Sequence, residues 1–169
     1  MKRVRLAAAS LVTLGAVFAF LFVSGILVLN TTKSVPVGLW IRAGGPIGRG
    51  DFVVLDVSAF SGFSTYQDYP FKQTTWGKVA PFVKAIAGVS GDIITGTSGG
   101  LAVNGVLIPD SAPISMDRLG NAMPAYPLPY ELKAGELWLC SQTGRGFDSR
   151  YLGFARVASC KKVVPLVTF

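Results

Sequence analysis

The chain has 169 residues, half of them hydrophobic, with 16 Lys and Arg against 9 Asp and Glu, a mean hydropathy of +0.49 and no histidine. The missing histidine excludes Ser-His-Asp and Cys-His catalysis and every histidine-based metal site. The basic residues are scattered and three precede the first apolar run, so the excess reads as a solvated surface and no nucleic-acid partner is expected.

Residues 1–5 form a basic tail carrying Lys2, Arg3 and Arg5, and residues 6–29 are almost wholly apolar. At 1.5 Å per residue such a run reaches roughly 36 Å, enough to cross a ~30 Å hydrocarbon core with tilt. The charge flank places the N-terminus in the cytoplasm and residues 30–169 outside. The rival is a cleaved signal peptide, but the run exceeds a usual h-region and ends on a weak cleavage pattern.

Beyond the run the pattern changes to short β-like segments punctuated by Gly and Pro. Gly38–Arg42 and residues 51–56 read as strands. Residues 57–75, with Trp76 after them, are rich in Ser, Thr, Gly and aromatics without a period. They read as short helix and loop, packed on the core or dipping into headgroups. Residues 82–87 and 93–95 are strands on either side of a Gly-rich turn. Asn104-Gly105 between two β-like runs is a hairpin signal. Residues 109–129 are a proline-rich loop, and residues 137–140 and 154–158 are two more strands around a turn holding Asp148-Ser149-Arg150. Many short strands without a long soluble helix predict a mostly β, antiparallel domain on a single N-terminal transmembrane helix. Cys140 and Cys160 are either a bridge closing a loop of about 20 residues, contributing ~3 kcal/mol, or two buried thiols.

Three stretches bear on chemistry. Thr32-Lys33-Ser34-Val35-Pro36, leading to Gly38-Leu39-Trp40, places a serine where the apolar run ends. A serine hydroxyl is a poor nucleophile until a neighbour takes its proton. Without histidine, a neutral lysine serves if its pKa falls from ~10.4 to ~7–8, and burial supplies shifts of that size. Lys84, flanked by Phe82, Val83, Ala85 and Ile86, is the lysine set within an apolar strand-like run. Alternation puts it on one face with Phe82 and Ile86. The third stretch is Phe147-Asp148-Ser149-Arg150-Tyr151-Leu152-Gly153.

In this order the three stretches resemble the signal peptidase I superfamily: a Ser-x-Pro box, a Lys followed by Gly-x-x-Gly-Asp, and an Asp-Ser-Arg-x-x-Gly box. The short chain, the single anchor and the form Thr-x-Ser-x-Pro-x-Gly-Leu resemble its TraF-like branch, which serves conjugative transfer. The resemblance implies a signal-peptidase-like antiparallel β domain and a serine endopeptidase with Ser34 as nucleophile and Lys84 as base. It further implies an oxyanion hole from the Ser34 N–H and Thr32 Oγ1, with ~3 kcal/mol per donor. Pro36, Asp148 and Arg150 are implied as supports rather than proton carriers. The family often carries a serine two residues before this aspartate to hold the lysine amine. Here that position is Gly146, so Ser141, Thr143 or a water takes the task.

The implied substrate is an exported precursor, a conjugative pilin or type IV secretion subunit, released by water or cyclised by an amine. The implied setting is the bacterial inner membrane, with lipid and the transfer machinery as neighbours, the catalytic domain periplasmic and no cofactor. The alternatives are a general signal peptidase and a non-catalytic pilus assembly factor, the latter favoured only by Gly146. Three motif matches are decoys: Gly96-Thr97-Ser98-Gly99-Gly100 has no histidine to complete it, Ser159-Cys160-Lys161-Lys162 has no helix, and Asn30-Thr31-Thr32 abuts the membrane.

Overall fold

A computed structural model describes residues 2–71 and 80–169, with the side chains of the first helix described from Ala9 onward. Trp76 and the end of the aromatic stretch lie outside the described residues, as do the side chains of Lys2, Arg3 and Arg5. The long apolar run divides. Helix α1 spans Lys2–Val23, a turn at Gly25 follows, and Leu27–Asn30 is already a strand, β1. The C-terminal end of the expected 6–29 span therefore belongs to a sheet, where Val28 packs into the core. Among the described residues, no helix is long and apolar enough to cross a membrane.

The expected strands appear as β2 (Gly38–Arg42), β3 (Phe52–Leu55), β4 (Phe82–Gly88), β5 (Ile93–Thr97), β6 (Gly100–Val103), β7 (Val106–Leu107), β9 (Glu136–Cys140) and β10 (Ala155–Arg156), with the short β8 (Tyr130–Glu131) before β9. The Asn104-Gly105 turn joins β6 to β7 with both residues at positive φ, 50° and 80°, the geometry a tight hairpin demands. The Asp148 turn closes into one helical turn, α2 (Ser149–Leu152). A C-terminal strand that the sequence reading left out, β11 (Lys161–Thr168), lies between β2 and β3.

Among the described residues the strands form two antiparallel sheets, ordered β1-β2-β11-β3-β4-β9-β10 and β7-β6-β5-β8. The mostly β, antiparallel expectation holds. Alternation sorts side chains between the faces of the larger sheet. Val53, Leu55, Ile86, Leu137 and Leu139 enter the main core, while Val54, Val83, Trp40 and Val163 pack on the other side. Trp138 and Cys140 instead meet the smaller sheet through Ile94, Leu101 and Leu132.

Of the two alternatives left open for Cys140 and Cys160, a bridge or two buried thiols, the structure has the thiols. Both are free and buried, Cys140 in the cluster under the smaller sheet and Cys160 in the main core. The two thiols therefore belong to separate clusters. Burial pushes both thiols up, Cys160 to about 11, so neither is a ready thiolate.

The aromatic stretch packs inward where it is described. Phe60 and Tyr66 are buried, and Tyr66, Tyr69 and Phe71 surround the Phe147 ring at centroid distances of 4.8 to 5.1 Å. The stretch thus pins the chain immediately before Asp148. Backbone bonds from Ser61 and Gly62 N–H to the Phe154 and Leu152 carbonyls secure the far side of the same turn.

Candidate active site

Strand β4 carries Lys84 between β3 and β9, with Val53 as its cross-strand partner. Past the Ala85–Cys140 pair, β4 and the chain leaving β9 part, and the loop carrying Ser34 enters between them. The Gln142 N–H donates to the Ser34 carbonyl at 2.7 Å on one side. The Ser34 hydroxyl makes a long 3.4 Å bond to the Val83 carbonyl on the other. Val35 is buried in the cluster of Val28, Trp40, Val54, Val83 and Val163, which seats the loop. Ser34 is brought beside the residue preceding Lys84 in this way.

Asn30, at the end of β1, organises the loop, and the sequence reading missed it except within a decoy motif. It is buried, and its Nδ2 donates to the carbonyls of Thr32, Val35 and Pro36 at 2.8, 3.1 and 3.0 Å. Its Oδ1 accepts from the Thr32 N–H and the Thr32 hydroxyl at 3.2 and 2.9 Å. The available signal was an Asn two residues before a Thr at a strand end, where the amide can bind the following turn. The Thr32 and Ser34 hydroxyls are 2.9 Å apart. Since Thr32 gives its one hydrogen to Asn30, it accepts from Ser34 in this state. The single Ser34 hydrogen therefore lies between the Thr32 hydroxyl at 2.9 Å and the more distant Val83 carbonyl at 3.4 Å.

Lys84 is 4% exposed, on the face of β4 shared by Phe82 and Ile86, with its Nζ 5.0 Å from the Phe82 ring centroid. Burial is the main cause that brings its amine down to about 8, helped by the Arg150 charge and opposed by Asp148 and Cys140. Nζ donates to Ser141 Oγ at 3.0 Å. Of the three holders left open by Gly146, the structure supplies Ser141. Residues 137, 139 and 141 share a face, so Ser141 follows Leu137 and Leu139 toward the β4 face that carries Lys84.

Asp148 and Arg150 form a fully buried ion pair. Asp148 accepts from Arg150 Nε and Nη2 at 2.9 and 2.8 Å and from the Ser141 N–H at 2.7 Å. Arg150 also donates to the carbonyls of Asp110, Ala112, Thr143, Gly144 and Gly146. The pair fixes the loop after β9. It also gives the Asp148 carboxylate a partner other than Lys84, whose ammonium would be stabilised by an unpaired anion.

Two decoys resolve into structure: residues 97–100 make the turn between β5 and β6, and Lys162 pairs with Asp51 at 2.9 Å. Together the arrangement offers a hydroxyl, a buried amine with a lowered pKa, and two candidate oxyanion donors in the Ser34 N–H and Thr32 Oγ1.

Residues 2–166 match the family described as signal peptidase, peptidase S26. Two Escherichia coli proteins, each called plasmid transfer protein TraF, are similar to the chain. One is 30% identical over 146 residues, 83% of this chain and 82% of the relative. The other is 33% identical over 129 residues, 74% of this chain and 73% of the relative. Among solved structures, a signal peptidase I from Enterococcus faecalis aligns with a TM-score of 0.39 and 16% identity, over 72% of this chain and 99% of that one.

Proposed function

Because the chain belongs to the signal peptidases of the peptidase S26 family, we propose that it is a membrane-anchored endopeptidase with Ser34 as nucleophile and Lys84 as general base. The observation that carries this reading is the buried Lys84 amine, brought to about 8 and held by Ser141 beside the Ser34 loop. Neutral Lys84 takes the Ser34 hydroxyl proton as Oγ attacks the scissile carbonyl. The oxyanion that forms is met by the Ser34 N–H and by Thr32, whose hydroxyl turns from Asn30 toward it. Collapse breaks the peptide bond, and the Lys84 ammonium returns the proton to the leaving amine. Water, deprotonated by Lys84, then opens the Ser34 ester; in a cyclising reaction a peptide amine takes its place.

Similarity to the TraF plasmid transfer proteins supports a conjugative pilin precursor as substrate, cut at the periplasmic face of the inner membrane. Helix α1 is the anchor in this reading, only residues 24–26 separating it from the sheet. Next to it, exposed Leu29 and Val167 flank Leu39 in register, and exposed Val164 is in register with Ile41. That apolar outer face suits a lipid surface.

The full chain co-expressed with a conjugative pilin precursor should convert it to a shorter product. It should itself stay with the membrane fraction through a high-salt wash and leave it in detergent. Ser34→Ala should leave the precursor uncut in the same cells. Processing by that variant, or release of the protein by salt alone, would sink the corresponding half of the reading. A product lighter by one water than the hydrolytic fragment marks resolution by an amine.

Thr32→Val should lower kcat about 100- to 1,000-fold with little change in KM, as loss of an oxyanion donor does, while Thr32→Ser keeps most activity. An unchanged kcat in the valine variant would remove Thr32 from the oxyanion hole.

A further inference from the structure

Ser141 stands where β9 leaves the sheet, and it is 4% exposed, as is Lys84. Its N–H is bound to Asp148 Oδ2, and the N–H of the next residue, Gln142, holds the Ser34 carbonyl. One dipeptide therefore touches both the nucleophile's backbone and the base's amine. Facing it is Gly146, where a Cβ would lie 1.6 Å from Ser141 Oγ and 2.0 Å from Ser141 Cβ. Those distances are far inside any contact, so only one of positions 141 and 146 can carry a side chain at this spot. The location is nearly common to both. A Cβ on residue 146 would almost coincide with the present hydroxyl, so a serine there could present its oxygen to the same amine.

We propose that Ser141 is the positioning residue of the base and that Gly146 is glycine because it must leave room for that hydroxyl. The inference rests on Lys84 being the base. A neutral amine has two hydrogens and one lone pair. A buried acceptor for one hydrogen restricts rotation about Cε–Nζ and so sets where the lone pair points. The loop after β9 is itself locked by the Arg150 bonds to the Thr143, Gly144 and Gly146 carbonyls, so the acceptor does not drift. The charged and titratable groups acting on Lys84 are Asp148, Arg150 and Cys140, the first two bound to each other.

The test uses the full chain in detergent, the pilin precursor as substrate and 13C-labelled lysine for a direct titration, with Lys84→Ala assigning the resonance. Ser141→Ala should lower kcat about 10- to 100-fold at nearly constant KM, the scale of a misplaced catalytic group. It should also move the Lys84 midpoint below its value in the parent protein, since the ammonium loses an acceptor. Gly146→Ser alone should be impaired at least as much, because its Cβ displaces the Ser141 hydroxyl. Ser141→Gly combined with Gly146→Ser should regain about tenfold or more over Gly146→Ser. Glycine is needed at 141 in that swap because an alanine Cβ would still meet the new side chain.

An unchanged kcat and midpoint in Ser141→Ala would overturn the proposal, as would a folded swap no better than Gly146→Ser. Urea unfolding checks each variant, and if the swap does not fold, Ser141→Ala decides. Should Ser34→Ala still cut the precursor, the dyad fails instead, and the lysine titration judges Ser141 by itself.

Discussion

Lys84→Met should abolish precursor cleavage and at the same time make the protein more stable at pH 7. The loss of activity follows from removal of the base, worth about 100- to 10,000-fold for general-base catalysis. Lys84→Arg should fail as well, because a guanidinium keeps its proton at any working pH. The gain in stability follows from linkage. Folding lowers the amine from 10.5 to about 8, chiefly through burial. Between those values the unfolded chain binds more protons than the folded one, so stability rises with pH across that window. Below about pH 8 the ammonium must be buried on folding, and the shift corresponds to about 3 kcal/mol.

Methionine removes that cost but leaves the Ser141 hydroxyl without its partner, about 1 kcal/mol in the other direction. A net gain of about 2 kcal/mol at pH 7 is expected. The parent protein should close the gap as pH rises toward 10.5, and its cleavage rate should climb through about pH 8 as the amine loses its proton. Urea unfolding of both proteins across that range, with cleavage assayed alongside, checks the pair of effects. A methionine variant that is less stable, or a stability gap independent of pH, would mean that the amine is not buried as a reluctant cation.

Arg150→Met should cost about 3–5 kcal/mol, the largest stability loss expected of any single change at the site. Both side chains of the Asp148–Arg150 pair are essentially buried, and Arg150 also holds five backbone carbonyls of the two adjoining loops. Removing it leaves the carboxylate with the Ser141 and Arg150 N–H groups as its remaining donors. The change also reaches the base. With its partner gone, the Asp148 charge favours the Lys84 ammonium, so the acid limb of the rate should move to higher pH. Urea unfolding and the pH profile of kcat/KM measure the two consequences separately. A loss below about 1 kcal/mol would place the pair with ordinary solvated surface bridges.

Much of the fold was readable because its signals are local. Gly38–Arg42, the β4 segment and the Asn104-Gly105 hairpin carry their alternation or turn chemistry within a few residues. Three strands went unread, the two-residue β8 and the longer β1 and β11, and the longer two lack such marks. Leu27–Asn30 continues the apolar helix sequence without a break in composition, and Lys161–Thr168 contains Pro165, which argues against a strand inside a sheet. Pro165 is accommodated because the β11–β2 register shifts between Pro165 and Val167. No reading of residues 161–168 alone reveals that irregularity.

The sequence by itself determined the chemistry on offer. The lack of histidine, a serine at the end of the apolar run and a lysine inside an apolar strand are facts of composition and order, and they limit which residues can act. The tertiary structure decided what holds them. That Asn30 commits the Thr32 hydrogen and that Arg150 occupies Asp148 are contacts two residues apart whose geometry only the fold sets, and that Ser141 holds the Lys84 amine joins residues 57 apart. The physical reason is one of range. Alternation and turn preference act over two to five residues, whereas a buried amine's partners are chosen by which strands the sheet sets side by side.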